Sequence, residues 1–264
     1  MNKVIRAEFG RTINAGLIIA IAGIIFSICF DSFNDLIAGL RNGQGYVGYF
    51  FSNAAFGGMC THYMLPVFTA LPFSVSLCQE RNNKAVSYIV SREGKNRYIF
   101  AKFIVSAISG GFVAVCGTVL LFLMLAMRFP IAGDEFEGAV VSDYFHEWSA
   151  VYYPQLYILT LSILAFCRGV IWLSLALCVS LYTSDFMVVL LSPFLGSYVL
   201  VRIFQIIRVP DMVRPDMILI GQVVIKSSGL TLIIAIAISL TIVTLIGAFF
   251  VGKMKEGLKS GTIY

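Results

Sequence analysis

The chain has 264 residues, of which 59% are hydrophobic and 12% are charged, and its net charge is +5. Soluble globular proteins carry about 25% charged residues, so the composition excludes an ordinary soluble domain. The positive charge fits a loop bias and contact with anionic lipid better than a nucleic-acid interface. We therefore predict an all-α, polytopic integral membrane protein.

Six apolar runs follow one another along the chain, separated by polar connectors. A run of about 20 apolar residues can cross the hydrocarbon core as a helix, and helices satisfy their own backbone hydrogen bonds there. The first run lacks a convincing cleavage site and precedes five others, so we interpret it as a span. Together the runs predict a single transmembrane domain over residues 1–264. The predicted spans are residues 14–33, 59–78, 103–127, 157–181, 186–207 and 229–251.

Basic residues are concentrated on every second connector, which predicts the orientation. With six spans, twelve of the 19 Lys and Arg residues fall on one side, and both termini are cytoplasmic. Acidic residues such as Asp31 and Asp35, with those between 134 and 147, fall on the other side. The twelve are Lys3, Arg6, Arg11, Arg81, Lys84, Arg92, Lys95, Arg97, Lys102, Lys253, Lys255 and Lys259.

Two segments outside the spans have helical or broken apolar patterns. In residues 2–13, Ile5, Phe9 and Ile13 form one helical stripe, typical of an interfacial helix. In the last outer connector, residues 208–228, Pro210 and Pro215 interrupt a semi-apolar sequence. That connector is compatible with a re-entrant helix or with an ordinary interfacial loop.

The second connector, residues 79–102, has the most distinctive chemistry of the chain. It reads QERNNKAVSYIVSREGKNRYIFAK. A charged entry precedes a short apolar patch, a glycine-containing turn and a basic start to the third span. The patch spacing predicts a short helix along the membrane surface, serving either as an anchor alone or as a docking helix for a cytoplasmic partner.

The order Glu80-Arg81, Ile89-Val90, Arg97 and Lys102 resembles the permease subunits of type-2 ABC exporters. That resemblance implies a coupling helix near Asn82–Val90 and identifies residues 2–13 with the family's elbow helix. Family members often have a proline in the turn after the coupling helix, where this chain has Ser91–Asn96 without one. The implied docking residues are Glu80, Arg81, Asn82, Lys84, Tyr88, Ile89, Val90, Arg97 and Lys102.

The resemblance also implies a function and partners. A separate cytoplasmic ATPase would bind ATP and Mg²⁺, and two permease subunits, identical or related, would form the pathway in a bacterial plasma membrane. The implied cargo is a peptide, an antibiotic or another amphipathic, lipid-like molecule. The chain itself would bind no cofactor and would not be an enzyme. Its nearest approach to a phosphate-binding loop, residues 252–260, is interrupted by Leu258.

Arg168 stands near the middle of the fourth predicted span. A charge there costs at least about 2.5 kcal/mol, which indicates a pathway or subunit interface, or else a structural contact within the bundle. Asp31 and Asp35 are candidate but distant partners for it. Arg202, near the outer end of the fifth span, can extend to the headgroups. We take both arginines as candidate pathway or interface residues.

Two other classes of function stay open. A non-catalytic membrane scaffold would also fit the topology. A membrane-embedded enzyme needs a nucleophile, an acid–base pair or a metal site, and Cys167 beside Arg168 is the one conceivable reactive pair. Binding of an ATPase to the second connector would separate the exporter from both.

Overall fold

The computed structural model describes residues 9–10, 15–42, 47, 50, 58–130, 154–221, 223, 225 and 227–260. These residues contain no strand, which agrees with the predicted all-α class. The predicted interfacial helix at residues 2–13 lies outside the described residues except for Phe9 and Gly10, and so do residues 134–147. In chain order the helices are α1 (Ala15–Asp31), α2 (Phe33–Asn42), α3 (Met59–Ala70), α4 (Ser74–Asn82), α5 (Ala85–Glu93), α6 (Lys95–Ala126), α7 (Pro154–Val179), α8 (Phe186–Ile207), a 3₁₀ turn (Asp211–Val213), α9 (Pro215–Ile220) and α10 (Ser228–Ser260).

Four of these helices, α6, α7, α8 and α10, are long and apolar enough to cross a membrane. They coincide with the last four predicted spans, whose helices are therefore confirmed. Two are longer than predicted, because α6 starts at Lys95 and α10 continues to Ser260. Their polar ends continue the hydrogen-bonded helix beyond the apolar part, which hydropathy alone does not detect.

The first predicted span, 14–33, is one helix from Ala15 to Asp31 and bends at its end, whereas the second is interrupted inside its predicted bounds. α1 and α2 meet at Ser32 with a bend of 75°, and only together are they long and apolar enough to cross a membrane. Ser32 Oγ donates a hydrogen bond to the carbonyl of Phe50, 2.7 Å away, at this bend. The predicted helix 59–78 is interrupted between α3 and α4, where Pro72 lacks a backbone donor. The six-span count thus stays a prediction.

The centre of the bundle is the close crossing of α6 and α7 at two glycines. A Cβ on Gly110 would lie 2.6 Å from the carbonyl oxygen of Gly169, and a Cβ on Gly169 would clash with the Gly110 backbone. Glycine is required here because the two backbones touch. α7 also packs against α3, α8, α9 and α10, while α1 packs against α3 and α6.

The up-and-down helices define two ends of the bundle. One end carries α5, the C-terminal ends of α4, α7 and α10, and the N-terminal ends of α6 and α8; we call it the α5 end. The other carries α9, the bend at Ser32 and the N-terminal ends of α3, α7 and α10; we call it the α9 end. Both ends contain charged side chains that pair with one another.

Candidate functional site

At the α5 end, a short helix is held between two reversals of the chain. Lys84 precedes α5 with a φ of 52°, and Gly94 follows it with a φ of 86°. Non-glycine residues rarely adopt positive φ, so the unusual backbone at Lys84 makes α5 begin abruptly. At the other end of α5, Gly94 adopts positive φ without a steric penalty. The predicted helix near Asn82–Val90 is therefore found three residues later, at Ala85–Glu93.

The helix α5 is amphipathic, with one face in the core. Val86 and Val90 are buried in an apolar cluster with residues from four helices. Tyr88 is 77% exposed on the other face, and Ile89 is half-buried at the edge. The core partners are Leu77 of α4, Tyr98 and Ile99 of α6, Leu177 of α7, and Phe250, Met254 and Leu258 of α10.

Directly behind α5, a buried ion pair joins α4 to α6. Lys102 Nζ lies 2.8 Å from Glu80 Oε1, and the Tyr98 hydroxyl donates to Glu80 Oε2 at 2.5 Å. Lys102 is completely buried and also lies over the Phe73 ring, 5.0 Å from its centroid. Glu80 and Lys102 were predicted site residues, whereas Tyr98 was not. Its i, i+4 spacing from Lys102 places both side chains on one helix face.

Arg81 closes the end of a third helix. Its guanidinium donates to the carbonyl oxygens of Ser180 at 2.7 Å, Leu181 at 3.2 Å and Thr183 at 3.4 Å. These carbonyls follow α7, where helix ends leave acceptors unsatisfied. Asn82 extends the same contact, with its side-chain nitrogen 3.5 Å from the Ser184 carbonyl. Arg81 therefore ties α4 to the turn between α7 and α8.

The predicted docking residues thus divide into two groups. The buried side chains of Glu80, Val90 and Lys102, and the occupied guanidinium of Arg81, hold the α5 end together. The outward-facing members of the set are Asn82, Lys84, Tyr88 and Arg97, which are exposed, and Ile89, which is half-buried.

Near the α9 end, the connector after α8 folds back into the bundle. Ile218 and Leu219 of α9 are buried in an apolar cluster with Leu164 and Cys167 of α7 and Ala235 of α10. Cys167 lies 13 residues into α7, about 20 Å from its start at 1.5 Å per residue. The connector therefore contains a short helix, α9, packed against α7 and α10, while its re-entry into a membrane stays a prediction.

A second ion pair fixes this connector. Arg214 is 6% exposed, and its guanidinium contacts Asp216 at 2.7 Å and Asp211 at 3.2 Å. The hydrogen bond to Asp216 raises the pKa of Arg214 above its ordinary value. Both Asp216 oxygens accept from Arg214, with the second contact at 3.3 Å. Sequence analysis missed this pair, although Arg214 and Asp216 are separated by one residue.

Arg168 faces this connector across a small cavity. His62, Trp172, Ser197 and Asp216 line the cavity beside it, with apolar side chains completing the wall. Among the described residues, the guanidinium makes one long hydrogen bond, 3.4 Å from Nη2 to the carbonyl oxygen of Thr61. The apolar lining residues are Leu200, Val201, Leu219 and Ile220.

Asp31 and Arg202, the other charged residues considered in or near the spans, make contacts of their own. The Asp31 carboxylate accepts from the backbone N–H groups of Cys60 at 3.0 Å and Thr61 at 2.5 Å, so it caps α3. It does not pair with Arg168. Arg202 is outside the cavity and exposed, lying 5.2 Å from the Tyr198 ring centroid and 3.1 Å from the Gln205 side-chain oxygen.

No family model matches this chain, and comparisons with curated proteins and with solved structures give no significant match.

Proposed function

We propose that the chain is the transmembrane subunit of an ATP-driven ABC exporter and that α5 is its coupling helix. The observation that supports this most is the mounting of α5. Its inner face, Val86 and Val90, belongs to the core, and its outer face presents Tyr88. A helix that only anchored a loop would not need core residues from four other helices behind it.

In this proposal, movement of α5 is transmitted through packed side chains. The apolar cluster behind α5 contains residues of α4, α6, α7 and α10. Protein interiors are close-packed, so a displaced helix moves its neighbours instead of sinking into free space. The Glu80–Lys102 ion pair and the Arg81 contacts add polar links from α4 to α6 and to the end of α7. ATP-driven closure of the partner would use these links.

The proposed topology has six spans, with α1–α2 as the first and α3–α4 as the second, broken at Pro72. Both termini and α5 then face the cytoplasm of a bacterial cell. A second permease subunit, identical or related, completes the pathway, and the partner ATPase supplies the site for ATP and Mg²⁺. The apolar character of the described helices suits a peptide, antibiotic or lipid-like cargo.

Co-purification tests the docking surface. The tagged chain is isolated in mild detergent from its native host, and the co-purifying polypeptides are identified by mass spectrometry. We expect a stoichiometric ATP-binding subunit, lost on Tyr88→Asp and weakened on Ile89→Asp. Because Tyr88 is exposed, a charge there should leave the fold intact.

Tyr182→Asp is the matched control. Tyr182 is 66% exposed and lies at the same end of the bundle, but outside α5. It should retain the ATPase. Recovery of the unmodified chain alone, under conditions that preserve a known transporter complex, would contradict the exporter function. Equal binding by the parent and the Tyr88→Asp variant would contradict docking through α5.

A further inference from the structure

The Arg168 guanidinium is poorly satisfied by the protein around it. It has five N–H donors, and among the described residues its one hydrogen bond is the 3.4 Å contact with the Thr61 carbonyl. That distance is beyond the usual range for an N–H···O bond. No carboxylate of the described part of the chain lies within 4 Å of it. A cation at this depth is costly without a partner.

The nearest acid is already occupied. Asp216 lines the same cavity, but both of its oxygens accept from Arg214, and both side chains of this pair are 7% exposed. His62 is the remaining titratable side chain that lines the cavity, and it carries no negative charge. The described groups facing Arg168 therefore leave an uncompensated positive charge.

The rest of the cavity suits an alkyl chain. Trp172, Leu200, Val201, Leu219 and Ile220 supply apolar surface from three helices. Arg168, Trp172 and Leu200 are half-buried, so the cavity is partly open on that side. An elongated apolar group could lie along this opening while its polar end reached the guanidinium.

The size of the cavity limits the polar end. Its volume is about 30 Å³, and one water molecule needs about 10–15 Å³ of such space. Two oxygen atoms fit within it, whereas a sugar, a nucleotide or a larger tetrahedral headgroup would extend through its open side. A carboxylate has two oxygens in a plane and matches the guanidinium fork.

We propose that Arg168 and this cavity bind the carboxylate of an aliphatic amphiphile whose chain lies against Trp172 and Leu200. The binding needs no ATPase, so it can hold even where the exporter function fails. A structural contact to Thr61 alone would explain the position of Arg168 but would leave the other donors and the apolar opening unused.

Fluorescence of Trp172 provides a direct test. The sequence has two tryptophans, so Trp148→Phe leaves Trp172 as the single fluorophore. This protein, in non-ionic detergent at pH 8, is titrated with bromoundecanoate, whose bromine quenches indole fluorescence at short range. We expect saturable quenching by the acid and only weak, non-saturating quenching by its methyl ester, which partitions into the micelle without a charge.

Variants at two arginines distinguish binding in the cavity from binding at an exposed arginine. Arg168→Gln should weaken binding of the acid roughly 10- to 100-fold, as expected for loss of a charged hydrogen-bond partner. Arg168→Lys keeps the charge but loses the fork and should fall between. Arg202→Gln, on an exposed arginine outside the cavity, should bind like the parent. Equal quenching by acid and ester, or unchanged binding in Arg168→Gln, would overturn the proposal.

Competition keeps the test independent of whether the variants fold. Unbrominated dodecanoate should reverse the quenching in the Trp148→Phe protein, whereas dodecanol should not. Acetate should fail as well, because it lacks the chain. Displacement by acetate would show a site for small anions, and equal displacement by dodecyl phosphate would contradict the size limit. Either result would overturn the assignment of a carboxylate amphiphile.

Discussion

Lys102 and Arg168 are both cations inside long apolar helices, yet their surroundings are opposite. Lys102 is fully buried, 2.8 Å from a carboxylate whose second oxygen accepts from Tyr98. Arg168 is half-buried, with one long hydrogen bond to a carbonyl and an open cavity beside it. The comparison separates a charge that holds helices together from a charge that is left for another molecule.

The difference arises from which acid each cation can reach. Glu80 lies on the neighbouring helix α4, with Oε1 2.8 Å from Lys102 Nζ. Asp216 lies beside Arg168 in the cavity but pairs with Arg214, two residues away in sequence. A contact between such close neighbours closes almost no loop and costs little chain entropy. Asp216 therefore pairs with its near neighbour Arg214 and not with Arg168.

Lys102→Met should give the largest loss of stability. Removing one partner of a buried ion pair leaves an uncompensated charge and typically costs about 3–5 kcal/mol. The free energy of unfolding, measured by denaturant titration in detergent micelles, should fall by that amount. The double variant Glu80→Gln/Lys102→Met should recover part of the loss, because no unpaired charge then remains buried.

Lys253→Met is the matched control for this substitution. Lys253 pairs with Glu256 at 2.9 Å, but the two side chains are 47% and 70% exposed. Exposed pairs are screened by water and ions, so the change in stability should be close to the error of the measurement. Comparable losses in Lys102→Met and Lys253→Met would show that burial does not distinguish the two pairs.

The sequence carried enough information to predict the long helices and the short helix near Lys102. Apolar run length predicted α6, α7, α8 and α10, because any helix that crosses hydrocarbon must be long and apolar. Glu80 and Lys102 were implied as site residues by the resemblance to type-2 ABC exporter permeases, although their pairing with each other was not predicted. Residues near in sequence, such as Lys84 and Gly94, also bracket a helix close to where the apolar patch predicted one.

The surroundings of Arg168 depend on tertiary contacts that no local sequence pattern contains. Asp31 was a candidate partner for Arg168, but it instead caps α3, which requires the ends of α1 and α3 to meet. The cavity exists because α9 folds back against α7, about 50 residues earlier in the chain. Residue spacing indicated a charge at depth in α7, but only tertiary packing determines what faces it.

Gly169→Ala tests what positions Arg168. A Cβ at this position would clash with the Gly110 backbone, so the α6–α7 crossing must open. Overpacking of this kind costs about 1–3 kcal/mol, and it would move Arg168 away from Thr61. Gly252→Ala is the matched control, since a Cβ there meets nothing within 4 Å and alanine favours the helix. The free energy of unfolding is measured for both variants. A lower value in both would indicate a general intolerance of alanine, and an unchanged value in both would contradict the close crossing.

Asp31→Ala tests the acid that sequence analysis considered for Arg168. The carboxylate accepts from two N–H groups in the first turn of α3, and loss of such a cap costs about 0.5–2 kcal/mol. Asp31→Asn keeps one acceptor and should cost less. Thermal unfolding followed by circular dichroism measures both. A larger loss for asparagine than for alanine would be inconsistent with a capping role.

Arg168→Met completes the comparison, because the same substitution should have the opposite sign at the two cations. Lys102→Met removes the cation that pairs with the Glu80 carboxylate. Arg168→Met leaves no acid without its partner, since Asp216 stays paired with Arg214. Removing a poorly satisfied charge from this depth relieves its desolvation, and methionine is flexible enough to fill part of the space. We expect a change between zero and a gain of about 1 kcal/mol in the free energy of unfolding, measured beside Lys102→Met in the same micelles. A loss as large as that of Lys102→Met would mean that Arg168 is as structural as Lys102. A neutral or stabilising result together with lost binding of bromoundecanoate would instead show a charge retained for a ligand at the expense of the fold.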